Sequence, residues 1–250
     1  MKNPKISIIT ASYNCGSKLQ RTIDSVLNQD FTDFEFLIID AGSTDSTAEI
    51  IKQTKDRRLT FISEPDKGVY DAMNKGIKLA KGEFLFFLGV GDEILPKALT
   101  AVQPFLAVKA RTSVIYGNVL YKGNQYDGQF SKTKICRRNI CHQAMFFQKN
   151  VFDQLGNYDL QYKTLADWEF NLRCFGSKKV CLTFIPVTVA YFEEGGMSSG
   201  GDLVFERHLN RLIIRHLGII TFLFNFIQKQ TESCPKLRAF LRFWKRLVLR

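Results

Sequence analysis

The first ninety-odd residues switch repeatedly between two hydrophobic periods, and that alternation most constrains the fold. "KISIIT" is a short β-branched run that stops at "ASYNCGS". After it, Leu19, Ile23, Val26 and Leu27 recur at helical spacing. "FEFLIID" reads as a second strand, and "GSTDSTAEII" as a turn with Ser or Thr caps entering a helix. "LTFISE" is a third strand, "GVYDAMNKGIKLAKG" a helix with a glycine stop, and "EFLFFL" a fourth strand. Strands separated by helices imply parallel βαβ units and a sheet covered on both faces. The unbroken apolar run "FLIID" fits burial on both sides.

In such sheets ligands gather at the carboxyl ends of the strands. Those ends read "TASYN", "DAGSTD", "SEPDKG" and "GVGDE", so acids follow three successive strands. The first loop has one glycine, which removes the Gly-rich turn of a dinucleotide-binding dehydrogenase. No G-x-x-x-x-G-K-[ST] loop and no G-x-S-x-G elbow occurs. A nucleotide diphosphate held through a divalent metal fits the acidic rim better. Asp40 would reach a base or ribose, and Asp92 would hold Mg²⁺ or Mn²⁺, which take carboxylate oxygen and keep several waters.

From Val114 the rhythm changes. "SVIYGNVLYKGNQYDGQF" reads as a strand and a hairpin on Gly-Asn and Asp-Gly turns. "HQAMFFQ" is a further strand. "TLADWEFNLRCFG" is an amphipathic helix with Leu165, Trp168, Leu172 and Phe175 on one face, and "VCLTFIPVTVAYF" is a strand broken by Pro186.

Taken together, these blocks resemble family-2 glycosyltransferases with the GT-A fold. The similarity runs through "SIITASYNCGSKLQRTIDSVLNQDFTDFEFLIIDAGSTDSTAEII" and "SEPDKGVYDAMNKGIKLAKGEFLFFLGVGDEIL". It resumes at "ICHQAMFF", "GNYDLQYKTLADWEFNLR" and "FEEGGMSS", and covers about the first 200 residues. The blocks look closest to bacterial enzymes of surface-polysaccharide synthesis. The resemblance implies a Rossmann-like mixed sheet flanked by helices over residues 1–202. Residues 1–113 would form the nucleotide-sugar-binding half and 114–202 the acceptor half.

It also implies roles. Thr10, Ala11 and Tyr13 would line the nucleotide, with Asp40 at the base. Asp66 and Asp71 would meet the nucleotide or donor sugar. The family usually has Asn-x-Asp-Asp after the fourth strand; here "GVGD" stands there, so Asp92 matches the final Asp while Gly89 and Gly91 replace the Asn and the first Asp. Glu93 is the nearest candidate for a second acid. Asp167 matches the catalytic base of inverting members, with Glu169 as the fallback. A base is needed because a protonated hydroxyl is a poor nucleophile. His142, Gln143, Gly195 and Gly196 are candidates for acceptor contact, and Arg137 and Arg138 for phosphate contact.

The net charge is +11, but it is unevenly placed. From Leu203 onward ten basic side chains face two acidic ones, a net of +8, which leaves +3 for the first 202 residues. His208 and His216 lie in this stretch and are read as solvated. No run reaches the ~20 apolar residues that span a bilayer. "LGIITFLFNFI" is open between core helix, shallow membrane insertion and partner surface. In "KLRAFLRFWKRLVLR", Leu237, Phe240, Leu241, Trp244, Leu247 and Val248 share a helical face opposite basic residues, as in an interfacial helix for anionic lipid. Residues 203–250 are therefore expected to be a helical, basic, membrane-associating extension. Together with the absence of a secretory signal at the N-terminus, it places the protein in the cytoplasm, on the inner face of the membrane. The six cysteines form no CxxC pair and are read as reduced thiols.

A second class stays open: a non-catalytic binding module for nucleotide sugar or nucleic acid with a basic arm. Nucleic acid is not expected, because only the tail interleaves aromatic with basic residues. A nucleotidyltransferase would need a Gly-rich, basic N-terminal loop that is absent.

Overall fold

A computed structural model describes residues 2–107, 112–126, 128–195 and 200–231. The chain runs β1 (Ile6–Ser12), α1 (Gly16–Leu27), β2 (Phe34–Asp40), α2 (Thr47–Gln53), β3 (Leu59–Ser63), α3 (Val69–Leu79) and β4 (Phe84–Phe87). Then come β5 (Glu93–Ile94), α4 (Ala98–Val102), β6 (Thr112–Tyr121), β7 (Asn124–Tyr126), α5 (Lys132–Ile135), β8 (Met145–Gln148) and α6 (Asn150–Leu155). The described chain ends with α7 (Ala166–Gly176), β9 (Val180–Tyr191), α8 (Leu203–Leu217) and α9 (Ile219–Thr231).

The strands form one mixed sheet in the order β3-β2-β1-β4-β8-β6-β9-β5, with β7 paired to β6. The βαβ alternation gives the four parallel strands β3, β2, β1 and β4. β8 then joins β4 antiparallel, Phe84 facing Gln148 and Phe86 facing Phe146. The run "FLFF" has no exposed surface because both of its faces are covered. Phe84 and Phe86 join Ile6, Ile8 and Phe36 under α1 and α4. Leu85 and Phe87 join Ile9, Leu37 and Ile39 under α3, α7 and α8.

Local details differ from the sequence expectation. The N-cap of α2 is Ser46, but its side chain makes no capping bond; Asp45 instead accepts from the Thr47 N–H at 3.0 Å and the Gly16 N–H at 3.0 Å, joining the starts of α1 and α2. The hairpin turns on Lys122–Gly123, both left-handed at φ 51° and 72°, one residue before the expected Gly-Asn. Asp127 of the Asp-Gly pair lies outside the described residues. Pro186 does not break β9. The strand continues through it and the pairing slips: Tyr116 faces Phe184, and Asn118 faces Thr188, a bulge that absorbs the missing N–H.

Helix α7 is not amphipathic. Asp167, Glu169 and Asn171 are buried along with Phe170, Leu172 and Phe175. On one side α8 covers it, packed into the main core through Phe205, Leu212, Ile213 and Leu217; on the other, Tyr70 and Asn139 cover Asp167 and Asn171. His208 and His216 are consequently not solvated. Tyr162 Oη lies 3.2 Å from His208 Nδ1, and burial beside Arg215 and Arg173 lowers the His216 imidazole to a pKa of about 4. The amphipathic stretch 237–248 lies outside the described residues.

Candidate active site

The carboxyl ends of β1 and β4, the loops after β3 and β9, and the first turn of α7 enclose one cavity of about 860 Å³. Its wall includes Ala11, Tyr13, Asp66, Asp92, His142, Gln143, Asp167 and Gly195. Eight of the residues singled out from the sequence thus meet in one place. Tyr13, at the end of β1, is 62% exposed and offers a bare ring to that space.

Thr10, Asp40 and Asp71 do not reach the wall. Thr10 has no exposed surface, and its hydroxyl is buried without a hydrogen-bond partner. Asp40 is also fully buried. Its carboxylate accepts from Ser12 Oγ at 3.0 Å, Ser63 Oγ at 2.7 Å, the Gly42 and Ser43 N–H groups at 3.0 and 2.9 Å, and Ser43 Oγ at 2.5 Å. Burial alone would raise its pKa, but the bonds from Ser43, Ser63 and Ser12 hold it below the usual carboxylate range. Asp40 therefore locks the β1, β2 and β3 ends together rather than facing a base. Asp71 accepts from the Lys67 N–H at 2.9 Å, and Asp66 from the Gly68 N–H at 2.8 Å, which together close the loop before α3. Gly196 lies outside the described residues.

Asp92 is 4% exposed. Its Oδ1 accepts from the Glu193 N–H at 2.8 Å and its Oδ2 from Gln143 Nε2 at 2.6 Å. Burial raises its pKa against those two donors. The glycines before it have a steric cause. A Cβ on Gly89 would stand 2.5 Å from Asp92 Oδ2. Gly91 has φ +98°, and a Cβ there would collide with Glu193 Oε2. A carboxylate from the end of β9 thus fills the space beside Gly91. Glu193 is held by Lys18 at 2.9 Å and by Arg21. Burial works to raise its pKa, and those cations bring it below the ordinary value. Glu93 is turned away from the cavity, with its Oε1 3.9 Å from Arg21 Nε.

Asp167 sits in the first turn of α7, where the helix dipole favours an anion. It is 8% exposed and receives three donors, with His142 beside them. Tyr70 Oη and the Trp168 N–H meet Oδ1 at 2.8 and 2.9 Å. Asn139 Nδ2 meets Oδ2 at 2.9 Å, and His142 Nδ1 lies 3.4 Å from it. Burial and the facing Asp167 push the Tyr70 phenol well above its usual pKa, so it stays a donor. The loop before α7 is fixed by Asp202, the N-cap of α8, which accepts from the Thr164 N–H at 3.1 Å. The fallback Glu169 is not on the wall. Arg173 grips it through two nitrogens at 3.0 and 2.7 Å. Neither Arg137 nor Arg138 is on the wall: Arg137 bonds Asn225, and Arg138 donates to the hydroxyl of Tyr126, which is on it.

Sequence reasoning missed Tyr70, Asn139 and Glu193. Tyr70 and Glu193 lie inside the blocks "SEPDKGVYDAMNKG" and "FEEGGMSS", and Asn139 just before "ICHQAMFF", but nothing local marks their long-range partners.

An all-oxygen donor set suits Mg²⁺ or Mn²⁺. Asp92 and Glu193 supply such oxygens on one wall. No group of three or more His, Cys, Asp or Glu able to hold a metal ion occurs among the described residues. The cavity thus offers two carboxylates to a hard cation, Asp92 already bonded to Gln143 and the Glu193 N–H, and Glu193 paired with Lys18 and Arg21.

A mixed sheet with an acidic rim, a buried carboxylate at a strand end and a second carboxylate across the cavity define a group-transfer domain of the GT-A type. The chain belongs to glycosyltransferase family 2: the family described as "Glycosyl transferase family 2" matches residues 7–166. A Mycobacterium tuberculosis protein described as a PGL/p-HBAD biosynthesis glycosyltransferase is 37% identical over 220 residues, covering 85% of each chain. The Escherichia coli chondroitin synthase is 26% identical over 181 residues, 68% of this chain and 26% of that protein. Among solved structures, Staphylococcus aureus TarS 1–349 in complex with UDP-GlcNAc has a TM-score of 0.65 at 17% identity, covering 85% of this chain and 71% of that one. The mannosyltransferase PcManGT from Pyrobaculum calidifontis, in complex with GDP-Man and Mn²⁺, has a TM-score of 0.63 at 15% identity, covering 100% and 81%. At those identities the structures support the fold alone.

Proposed function

We propose that this glycosyltransferase moves a sugar, with inversion, from a nucleotide-diphosphate sugar to a hydroxyl of a glycan or lipid-linked glycan acceptor in bacterial surface-glycan synthesis. One observation carries the proposal: Asp92 and Asp167 face a single cavity and are bridged by consecutive residues. Gln143 bonds the first, and His142 lies beside the second. The relatives named for PGL/p-HBAD biosynthesis and for chondroitin synthesis favour such an acceptor.

In this account residues 1–113 bind the donor, with Ala11, Tyr13 and Asp66 on the wall and Thr10, Asp40 and Asp71 shaping it from behind. Residues 114–202 bind the acceptor, with His142, Gln143, Gly195 and Gly196 nearest to it. Asp167 takes the proton of the acceptor hydroxyl as that oxygen attacks the anomeric carbon. The bond to the diphosphate breaks on the opposite side, and the nucleotide leaves with that electron pair. Tyr70, Asn139 and the Trp168 N–H orient the carboxylate. A divalent cation held by Asp92, with Glu193 beside it, would offset charge on the departing diphosphate. The basic residues 203–250 hold the enzyme on the inner face of an anionic membrane.

A thermal-shift screen of nucleotide sugars with Mn²⁺ or Mg²⁺ tests the donor assignment. A donor at about 100 times its Kd adds about 2.7 kcal/mol, or roughly 5 to 10 °C in a domain of this size. Melting that no nucleotide sugar raises would count against it, and would favour a module for another ligand.

A further inference from the structure

Helix α9 buries one face and leaves the other bare. Thr221 and Phe224 are buried, and Asn225 is clamped by Arg137, whose Nε donates to its Oδ1 at 2.5 Å and whose Nη2 donates to its carbonyl at 3.1 Å. On the other side Ile219, Ile220, Leu223, Phe226 and Ile227 are 51%, 57%, 48%, 51% and 42% exposed. Their spacing of i, i+1, i+4, i+7 and i+8 makes one stripe along the helix. The inner face already meets the core, so the stripe serves another surface.

Charge distinguishes the possible occupants. Helix α8, which packs against α9, exposes Arg207, Arg211 and Arg215, and α9 exposes Lys229. The only acid from Leu203 to Thr231 is Glu206. A second copy laid on the stripe would bring two basic clusters together, whereas an anionic bilayer attracts them. No helix among the described residues is long and apolar enough to cross a membrane. The 13 residues of α9 extend about 20 Å, enough to lie along a headgroup layer.

We infer that α9 rests in the headgroup region of an anionic bilayer, inserting Ile219, Ile220, Leu223, Phe226 and Ile227. The inference builds on the membrane reading above and adds a contact face separate from residues 237–248. It also gives the acceptor a route. Arg137 clamps α9, and two residues later Asn139 donates to Asp167. One short segment therefore links the membrane-facing helix to the acceptor side of the cavity.

Vesicle flotation of the full chain tests this, using phosphatidylcholine alone and mixed with phosphatidylglycerol. Wild type floats with the anionic mixture. The variant Ile220→Ser, Leu223→Ser, Phe226→Ser binds it at least about tenfold more weakly, with unchanged melting and unchanged nucleotide-sugar binding. As a readout that removes no apolar surface, the emission of Leu223→Trp in a Trp244→Phe background shifts to the blue on anionic vesicles relative to Trp244→Phe alone. Equal flotation of the triple variant and wild type, with no shift at Trp, overturns the α9 assignment and leaves the membrane reading to residues 237–248. Wild type that floats with neither vesicle overturns the membrane reading as well. Self-association of wild type that the triple variant abolishes, with flotation unchanged, overturns the assignment in favour of a second copy.

Discussion

Replacing Gly91 with Asp would supply the second acid that the family resemblance leads one to expect before Asp92, yet the geometry makes it harmful. Gly91 sits at φ +98°, in the left-handed half of backbone space, and its Cβ would collide with Glu193 Oε2. The backbone strain costs about 1 to 3 kcal/mol. Displacing Glu193 from Lys18 and Arg21 adds about 0 to 1 kcal/mol per surface pair. A total of about 1 to 5 kcal/mol lowers melting by roughly 2 to 20 °C. Gly91→Ala, which adds the strain and the clash without a charge, gives most of that loss. Glu93→Gln gives little, because it loses only an exposed pair with Arg21 at 3.9 Å. Differential scanning calorimetry, with Mn²⁺-dependent UDP binding by titration calorimetry, is the assay. If Gly91→Asp melts with wild type and binds Mn²⁺ and UDP as well or better, the steric reasoning about the GVGD turn fails.

Two further outcomes follow from the buried acids. Burial raises the Asp92 pKa, so the folded state binds more protons than the unfolded state above pH ~3.9. The stability it contributes when protonated is lost as pH rises through its folded pKa. Asp92→Asn should therefore melt at or above wild type at pH 7 while losing metal-dependent donor binding; a clear fall in melting would contradict this. Asp40 has the opposite sign. Its lowered pKa contributes stability above pH ~3.9 that disappears as pH falls through the folded value. Asp40→Ala leaves buried hydroxyl and N–H donors without their acceptor and should cost about 3 to 5 kcal/mol in urea unfolding. A loss below about 1 kcal/mol would show that the Ser12, Ser43 and Ser63 network is dispensable.

The alternation of hydrophobic periods made β1 to β4 and their helices legible, because strand and helix periods are local properties. The rim followed from that, and so did Asp92 at a strand end. Asp167 depended on the resemblance, since an acid in the first turn of a helix is otherwise an ordinary choice. What stayed hidden was long-range. Nothing in "FEEGG" shows that Glu193 folds back over Gly91, 102 positions earlier. Asp40 looked like a ligand-facing acid because its partners Ser12 and Ser63 lie on other strands. The basic charge of α8 suggested a detached tail, but Phe205, Leu212 and Ile213 carry it into the core.

The central claim is that Asp167 accepts the acceptor's proton. It is tested most directly by comparing Asp167→Asn with wild type in donor affinity and in acceptor-dependent nucleotide release. The amide keeps the shape of the side chain and removes the base. The account predicts nucleotide-sugar affinity within about threefold of wild type and release slowed at least about 100-fold. Release at the wild-type rate, with donor binding intact, would contradict it.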